Sequence, residues 1–294
     1  MFLMETRRTA ILALAAAGVL WGLTVPLSKL SLEWLGPAWL TVVRFAAAAP
    51  LLAVIARRGL RGALVPRVGA AGALGFGAVT MLQNAGIERT SVSHAALVVG
   101  AAPVLVALIG VGLGQSATRP LGWSGYALAL AGIGLVAHTG GGGATALGDL
   151  LVLGSVAVSA GFIAVQPKLL AGRDPAAVTA VQFAAAALFA APVAALVDGA
   201  PQAPAAATPA IAAATLAAGG TLLPFWLFAF AQARVPAELA GAFVNLEPVI
   251  GAAAGWLMLG EAAAASQLAG IAVVVVGIVL STLPPPHRLC PRPT

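Results

Sequence analysis

Cysteine and charge are both scarce in this chain of 294 residues. The single cysteine, Cys290, lies in a proline-rich tail, so neither a disulfide framework nor a cysteine-based metal cluster organises the fold. Charged residues make up only 8% of the chain, whereas a soluble domain carries about a quarter, because its surface must stay hydrated. This shortage excludes a soluble globular protein and predicts that the natural solvent is a lipid bilayer.

Other groupings that carry chemistry are missing as well. The net charge of +6 is spread over short gaps between apolar stretches and forms no basic face, so we expect no nucleic-acid partner. No histidine cluster offers a metal site, and no paired aspartates lie within an apolar run. Ser93 and His94 are adjacent and would point apart on a helix, which argues against a serine protease. We therefore expect no enzymatic activity, no metal and no cofactor.

Long apolar runs dominate what the chain does contain. Hydrophobic residues make up 61% of it, and the mean hydropathy is +1.01. A helix that crosses a bilayer needs about 20 apolar residues and satisfies its own backbone groups. The first run follows Arg7 and Arg8 and is longer than a signal-peptide core, so we interpret it as a retained span. We predict an all-α polytopic membrane protein with ten transmembrane helices, near residues 9–30, 37–57, 66–86, 92–114, 120–138, 147–170, 175–197, 210–230, 236–259 and 264–283.

Basic residues between the runs predict the orientation. If the N-terminus is cytoplasmic, the opposite side carries only Arg89, while Lys29 and Arg44 fall inside runs. Basic residues concentrate on the cytoplasmic side of membrane proteins. Both termini are therefore predicted to be cytoplasmic, in a multi-pass protein of a bacterial-type cytoplasmic (inner) membrane. The residues on the cytoplasmic side are Arg7, Arg8, Arg57, Arg58, Arg61, Arg67, Arg119, Lys168, Arg173, Arg234, Arg288 and Arg292.

The two halves of the chain repeat one another. The segment 37–45, followed by four alanines, returns as 175–183, again followed by four alanines. Further matches follow in the same order, namely Gly22 with Gly161, Lys29 with Lys168, Pro103 with Pro248, and Leu113-Gly114-Gln115 with Leu259-Gly260-Glu261. We predict two five-helix repeats, residues 1–145 and residues 146–294, the second ending in a short cytoplasmic tail. Because five is odd, the second repeat enters the membrane from the opposite side, and inverted repeats commonly build transporters.

Together these motifs resemble the drug/metabolite transporter superfamily, specifically its ten-span EamA-type members. The resemblance covers nearly the whole chain and implies export or uptake of amino acids, nucleosides, drugs or similar metabolites. The length and pattern are most like those of the amino-acid exporters. Where the family often closes the fourth span with Leu-Gly-Glu, this chain has Gln115 in place of the carboxylate. The matching features are Trp21-Gly22, Pro37 to Arg44, the Pro103 and Pro248 helices, Leu259-Gly260-Glu261, and Gly132, Gly134 and Gly277.

Three ionisable residues inside the predicted spans need an explanation, because a charge at mid-membrane costs about 2.5–3.5 kcal/mol. Glu247 is a candidate site for a substrate amine or a coupling proton; alternatively, it is a structural acid bonded to a neighbouring helix, for example to Arg44. The repeat partner of Arg44 is the neutral Gln182, so we expect Arg44 to anchor helices. Lys29 is expected to snorkel to the headgroups, with binding of a substrate carboxylate as the alternative.

Polar residues at the ends of spans suggest further parts of a site. Gln83 and Asn84 end the third span and His94 opens the fourth, so they are predicted to flank an outer vestibule. For His94 an interfacial position is preferred to a coupling role. Gln166 precedes Pro167, and this pair predicts a helix break whose carbonyls line a cavity.

Prolines and aromatic residues complete the predicted cavity. Prolines at 26, 103, 167, 224 and 248 mark candidate pathway helices, and nearby aromatic residues would line a mostly apolar pocket or else face lipid. The Gly-xxx-Gly pairs Gly18/Gly22, Gly110/Gly114 and Gly251/Gly255 predict close helix crossings. The predicted cavity residues are Trp21, Gln83, Asn84, His94, Gln166, Phe225, Trp226, Phe243, Asn245 and Glu247.

The sequence thus predicts a secondary transporter, an exporter of small metabolites and in the first place of amino acids. It would work by alternating access through a central cavity between the two repeats, with Glu247 as the candidate for proton coupling. Drugs, lipophilic cations and nucleosides are alternative substrates. A membrane channel or an intramembrane enzyme is the alternative from another class. The expected partners are a small-molecule substrate and the bilayer, and we expect a monomer.

Overall fold

The structure, a computed structural model, describes residues 2–112, 120–138, 145–232, 243, 246–261 and 265–282, and every regular element in these ranges is helical. The all-α class is therefore confirmed, and each of the predicted apolar runs contains helix. The helices are α1 (Phe2–Gly22), α2 (Thr24–Ser31), α3 (Pro37–Ile55), α4 (Leu60–Ala63), α5 (Pro66–Gly72), α6 (Val79–Arg89), α7 (Val92–Val99), α8 (Ala102–Gly112), α9 (Pro120–His138), α10 (Ala146–Leu170), α11 (Pro175–Val193), α12 (Ala207–Ala217), α13 (Leu223–Gln232), α14 (Leu246–Leu259) and α15 (Ala265–Thr282).

Several of these helical stretches are long and apolar enough to cross a membrane. Within the described residues there are 6 of them: Arg8–Ser31, Pro37–Ile55, Val92–Ile109, Ala146–Gln166, Pro175–Asp198 and Ala207–Phe225. Two shorter apolar stretches, Leu246–Leu259 and Ala265–Gly277, lie near the C-terminus. A polytopic membrane protein is consistent with this set, while the total of ten spans stays a prediction.

Large apolar side chains cover the outside of the helix bundle. Leu196 and Leu257 are each 86% exposed, and Leu188 is 76% exposed. Such a surface would drive aggregation in water but is compatible with lipid tails. Small buried residues let helices approach closely, as in the contact of α3 with α11, where Ala48 and Ala180 are almost fully buried. This arrangement agrees with the prediction from composition that lipid, and not water, surrounds the protein.

Helices α3 and α11 lie antiparallel, and a carboxylate holds each end of the pair. Asp174 precedes α11 and accepts hydrogen bonds from the backbone N–H groups two and three residues later, at 2.8 and 3.2 Å. It also packs against Gly59, just beyond α3. At the other end, Oδ2 of Asp198 accepts bonds from two N–H groups in the first turn of α3, at 2.9 and 3.0 Å. A Cβ on Gly36 would collide with that carboxylate, so the α3 cap needs both residues.

Two of the long helices are interrupted just upstream of a proline. A turn at Leu23 separates α1 from α2 before Pro26, and residues 100–101 separate α7 from α8 before Pro103. A proline lacks an N–H and its ring displaces the carbonyl four residues earlier, so the hydrogen-bond ladder is disturbed on that side. The π-helical turn Ala218–Leu222 precedes Pro224, and a second one, Ala73–Ala78, joins α5 to α6.

Glycines allow the closest helix crossings. A Cβ on Gly22 of α1 would lie 2.6 Å from Cβ of Ile250 in α14, and one on Gly251 would lie 2.6 Å from Cβ of Ala96 in α7. The predicted crossings at Gly18/Gly22 and Gly251/Gly255 are therefore present, whereas Gly114 lies outside the described residues. These contacts bring α1, α7 and α14 together on one side of the bundle.

Candidate functional site

Charged residues that are withdrawn from the surface are nearly all held by hydrogen bonds. An unpaired charge inside an apolar environment costs several kcal/mol, so one that lacks partners is a candidate functional group. In the described part of the chain, Glu247 is the only one of this set that makes no hydrogen bond. The set comprises Lys29, Arg44, Asp149, Arg173, Asp198, Glu247 and Glu261.

Glu261, of the Leu-Gly-Glu motif, caps the N-terminus of α7. Its Oε1 accepts a hydrogen bond from the backbone N–H of Val92 at 2.6 Å. Its Oε2 accepts from the backbone N–H and the hydroxyl of Ser93, at 2.9 and 2.6 Å. The carboxylate also faces the positive end of the helix dipole. The motif therefore has a structural role here; the matching Gln115 lies outside the described residues.

Lys29 closes the C-terminal end of α6. Its Nζ donates to the backbone carbonyl oxygens of Ile87, Glu88 and Thr90, at 2.7, 3.0 and 2.8 Å. An ammonium group has three N–H donors, and all of them are used. Both sequence-based interpretations, snorkelling and carboxylate binding, are therefore wrong, because the carbonyls left unpaired at the end of α6 already bind the cation.

His94 is buried inside the protein, which corrects the prediction of an interfacial histidine beside a vestibule. It is 1% exposed, and its Nδ1 lies 3.2 Å from Oδ2 of Asp149 in α10. The hydroxyl of Thr90 donates to the other oxygen of Asp149. Because an ionised carboxylate can only accept, we assign the shared proton to Nδ1. The contact of α7 with α10 is what encloses the ring.

Asn84 also has a structural role instead of lining a vestibule. It is 1% exposed, and its Nδ2 donates to the carbonyl oxygen of Pro37 and to Oγ1 of Thr41, both at 3.2 Å. These bonds join α6 to the first turn of α3, where the hydroxyl of Thr41 also donates to the carbonyl of Pro37, at 2.9 Å. Gln83, its neighbour, is half-buried and makes no hydrogen bond within the described residues, so its place in a cavity stays a prediction.

Gln166 does not lie at a helix break. Helix α10 runs unbroken from Ala146 to Leu170, because Pro167 is close to the helix end and removes only one backbone hydrogen bond. The amide of Gln166 is paired with that of Gln182 in α11, each Nε2 donating to the other's Oε1 at 3.1 and 2.9 Å. The pair joins two helices, and the predicted cavity role of Gln166 is not supported.

An aromatic cluster lies in the middle of the bundle. Trp21 meets Phe225 with ring centroids 5.4 Å apart, and Phe45 meets Phe183 at 4.9 Å. These separations suit offset or edge-to-face contacts, which stabilise beyond simple burial. Trp21 and Phe225, both predicted cavity residues, are in contact, whereas most other members of the cluster were not among the predicted residues. The aromatic cluster comprises Trp21, Phe45, Phe76, Phe162, Phe183, Phe225 and Phe228.

Arg44 lies at the edge of the aromatic cluster. Its guanidinium carbon is 5.8 Å from the ring centroid of Phe45, a cation–π distance. Nε donates to Oγ1 of Thr221 at 2.6 Å, and a terminal nitrogen donates to the carbonyl oxygen of Gly220 at 3.2 Å. Both partners belong to the π-helical turn Ala218–Leu222, so the expected anchoring is present. A guanidinium has five N–H donors, and the remaining ones have no partner within the described residues.

Glu247 lies in the first turn of α14, beside α1. Its side chain is only partly buried and keeps some accessible surface. Glu247 and Arg44 influence each other electrostatically, but no nitrogen of Arg44 lies within 4.0 Å of a Glu247 oxygen. The alternative of a structural acid bonded to Arg44 is therefore wrong. The two opposite charges attract each other without direct contact.

Three further predicted cavity residues are only partly described. Phe243 packs with Phe228 against Ala10 and Leu14 of α1, next to the aromatic cluster. Asn245 lies outside the described residues, as does the side chain of Trp226.

The chain is similar to known proteins along most of its length. The family model described as the EamA-like transporter family matches it twice, over residues 8–137 and 146–283. A probable terminal-alkyne amino-acid exporter from Streptantibioticus cattleyicolor is 29% identical over 284 residues, which is 92% of each chain. One solved crystal structure superposes with a TM-score of 0.69 at 19% identity, covering 94% of this chain and 96% of that one. The latter likeness concerns the fold alone.

Proposed function

Because the chain belongs to the EamA-like transporter family, we propose that it is a secondary carrier that exports small metabolites, in the first place amino acids. Family membership makes it a multi-pass membrane transporter and not an enzyme. The observation that carries the substrate class is the enclosed pair of opposite charges beside the aromatic cluster. A relative named as an amino-acid exporter supports the same class. The bacterial-type cytoplasmic membrane is the proposed location.

We propose alternating access between two inverted five-helix repeats, residues 1–145 and 146–294, with ten spans and both termini in the cytoplasm. Two consecutive family matches support the duplication. Matching segments also pack together: Phe45 contacts its counterpart Phe183 at 4.9 Å, and α9 contacts α15 at Gly132 and Gly277. Arg44 of the first half bonds the π-helical turn of the second. Inverted-repeat carriers hold their substrate at such an interface.

Counterflow into proteoliposomes containing the purified protein tests this function. Labelled leucine, phenylalanine, a nucleoside and a lipophilic cation are offered with and without excess unlabelled solute inside. A carrier of amino acids gives saturable uptake that internal amino acid stimulates, and protein-free liposomes give none. Uptake that rises linearly with concentration identifies a channel. Absence of saturable uptake across the panel contradicts the proposal.

Lipophilic-cation export is the second candidate, because an acid beside aromatic rings also attracts cations. It is favoured if the cation, and no amino acid, shows trans-stimulated uptake in the same assay. In either case Glu247 is the proposed coupling residue, since it is the enclosed acid without a hydrogen-bond partner in the described chain. Glu247→Gln is expected to abolish stimulation by a pH gradient; an unchanged rate and pH dependence would exclude the coupling role.

A further inference from the structure

The charged groups that could bind a substrate reduce to two once their existing bonds are considered. Lys29 has used all three donors on α6, and Glu261 is engaged with α7. Asp149 is bonded to Thr90 and His94, and Asp198 caps α3. Arg173 lies in the loop between α10 and α11, where it donates to the backbone carbonyls of Gly62, Leu169 and Ala171. Within the helices that the structure describes, Glu247 makes no hydrogen bond, and Arg44 uses two of its five N–H donors.

The separation of these two residues needs an explanation. Opposite charges in an apolar interior are stabilised most by direct contact with good hydrogen-bond geometry. Here Arg44 is held away by its bonds to Gly220 and Thr221 and by its position over Phe45. Glu247 is fixed on the other side, where its backbone carbonyl meets α1 at Gly22. The protein thus keeps the two opposite charges within electrostatic reach but out of direct contact.

We propose that Arg44 and Glu247 form a binding site for a zwitterion, in which Arg44 binds an α-carboxylate and Glu247 binds an α-ammonium group. The aromatic cluster receives the side chain, so the substrate class is α-amino acids with apolar side chains. This inference rests on the proposed carrier function and adds the recognition chemistry to it.

The chemistry of each group fits its assigned partner. The free N–H groups of a guanidinium match the two oxygens of a carboxylate, which it binds more specifically than an ammonium does. A carboxylate accepts hydrogen bonds from the three donors of an α-ammonium. Trp21 and Phe225 offer an apolar surface, and burying a polar side chain there without a partner would cost about 1–3 kcal/mol. A bound zwitterion also leaves the occupied site without net charge.

Analogues of one amino acid test the site in the wild-type carrier. L-Leucinamide lacks the carboxylate charge, and N-acetyl-L-leucine lacks the ammonium charge. Both are expected to inhibit labelled leucine counterflow at least about tenfold more weakly than leucine, which corresponds to about 1.4 kcal/mol. Equal inhibition by all three compounds overturns the zwitterion site while leaving the carrier function intact. Absence of leucine and phenylalanine counterflow instead contradicts the proposed function.

Substitutions then assign the two charges. Arg44→Gln is expected to weaken leucine inhibition about tenfold and to leave leucinamide inhibition unchanged. Glu247→Gln is expected to weaken inhibition by leucine and by leucinamide but not inhibition by N-acetyl-leucine. Arg58→Gln, at an exposed arginine, is the matched control and should resemble wild type.

A merely structural Arg44 gives a different pattern. Loss of its bonds to the π-helical turn would weaken inhibition by leucine and by leucinamide by the same factor. That result overturns the assignment of Arg44 to the carboxylate. If Arg44→Gln does not fold, Arg44→Lys keeps the charge and is expected to retain the preference for leucine over leucinamide. If folded Arg44→Lys loses that preference while Glu247 is intact, a positive charge at residue 44 is not sufficient to bind the carboxylate.

Discussion

Nδ1 of His94 lies 3.2 Å from Oδ2 of Asp149, which is 55 residues away in the sequence. The same carboxylate accepts a hydrogen bond from Thr90. One aspartate at the start of α10 therefore holds both Thr90, two residues before α7, and His94 in the first turn of α7. The bond fixes the packing of two helices that the sequence places far apart.

His94 and Asp149 are expected to be energetically coupled. His94→Ala and Asp149→Ala should each lower the free energy of unfolding by about 1–3 kcal/mol, because each leaves a buried polar partner unsatisfied. The double variant should cost less than the sum, with a coupling of about 0.5–3 kcal/mol. Unfolding in mixed detergent micelles measures all three. Fully additive losses would show that the pair is not energetically significant, and a cycle of His94 with exposed Glu33 provides the uncoupled control.

Gly22 and its repeat partner Gly161 should respond oppositely to alanine. A Cβ at residue 22 would lie 2.6 Å from Cβ of Ile250, so Gly22→Ala forces α1 and α14 apart. We expect it to cost about 1–3 kcal/mol and to reduce counterflow. At Gly161 no atom lies within 4 Å of the added carbon, and alanine is the better helix former by about 1 kcal/mol. Equal thermal stability of the two variants would contradict the close crossing.

Removal of the Glu261 carboxylate should destabilise the start of α7. Glu261→Ala leaves the N–H groups of Val92 and Ser93 without their acceptor, and loss of a helix cap costs about 0.5–2 kcal/mol. Glu261→Gln keeps one acceptor oxygen and should cost less. The melting temperature of the purified protein measures the effect. Glu33→Ala, at an exposed acid without such bonds, is the control and should leave the melting temperature unchanged.

Adjacent residues Asn84 and Gln83 provide a matched pair. Asn84→Leu removes both hydrogen bonds to α3. Because each bond contributes about 0.5–1.5 kcal/mol, the total cost is expected to be about 1–3 kcal/mol. Gln83→Leu removes no hydrogen bond within the described chain and should change stability by less than about 0.5 kcal/mol. If Gln83 lines the cavity, its leucine variant changes substrate affinity without changing the melting temperature. A larger loss of stability at residue 83 than at residue 84 would contradict the structure.

The helical fold could be predicted because lipid leaves a long apolar run few alternatives to helix. Prolines alone did not locate the helix breaks, since the break predicted at Pro167 is absent. The partners of Asp149 and Asp198 could not be predicted, since acids at the ends of apolar runs look like ordinary loop residues. Their bonds are formed by tertiary packing. A signal was nevertheless present, because the chain has only 9 acidic residues, and each one near an apolar run needs a partner.

The candidate site was predicted only in part, for a related reason. Polarity inside an apolar run suggested a cavity at Asn84, His94 and Gln166. The protein uses these side chains to join helices, because a polar group between helices in lipid has no water to replace a missing bond. The aromatic residues Phe45 and Phe183 were already aligned as repeat partners. Their contact with each other could not be predicted, because an alignment of the two halves does not say how the halves pack together in space.

The cap of α3 also determines an order of events during synthesis. Gly36 offers no acceptor, and Asp198 is translated 160 residues after Ala38, to whose N–H it bonds. At about 5–20 residues per second, the ribosome needs on the order of ten seconds to cover that interval. Until then the first turn of α3 has no carboxylate. A nascent chain released before residue 198 therefore has an uncapped α3, which makes the start of that helix less stable than in the complete protein.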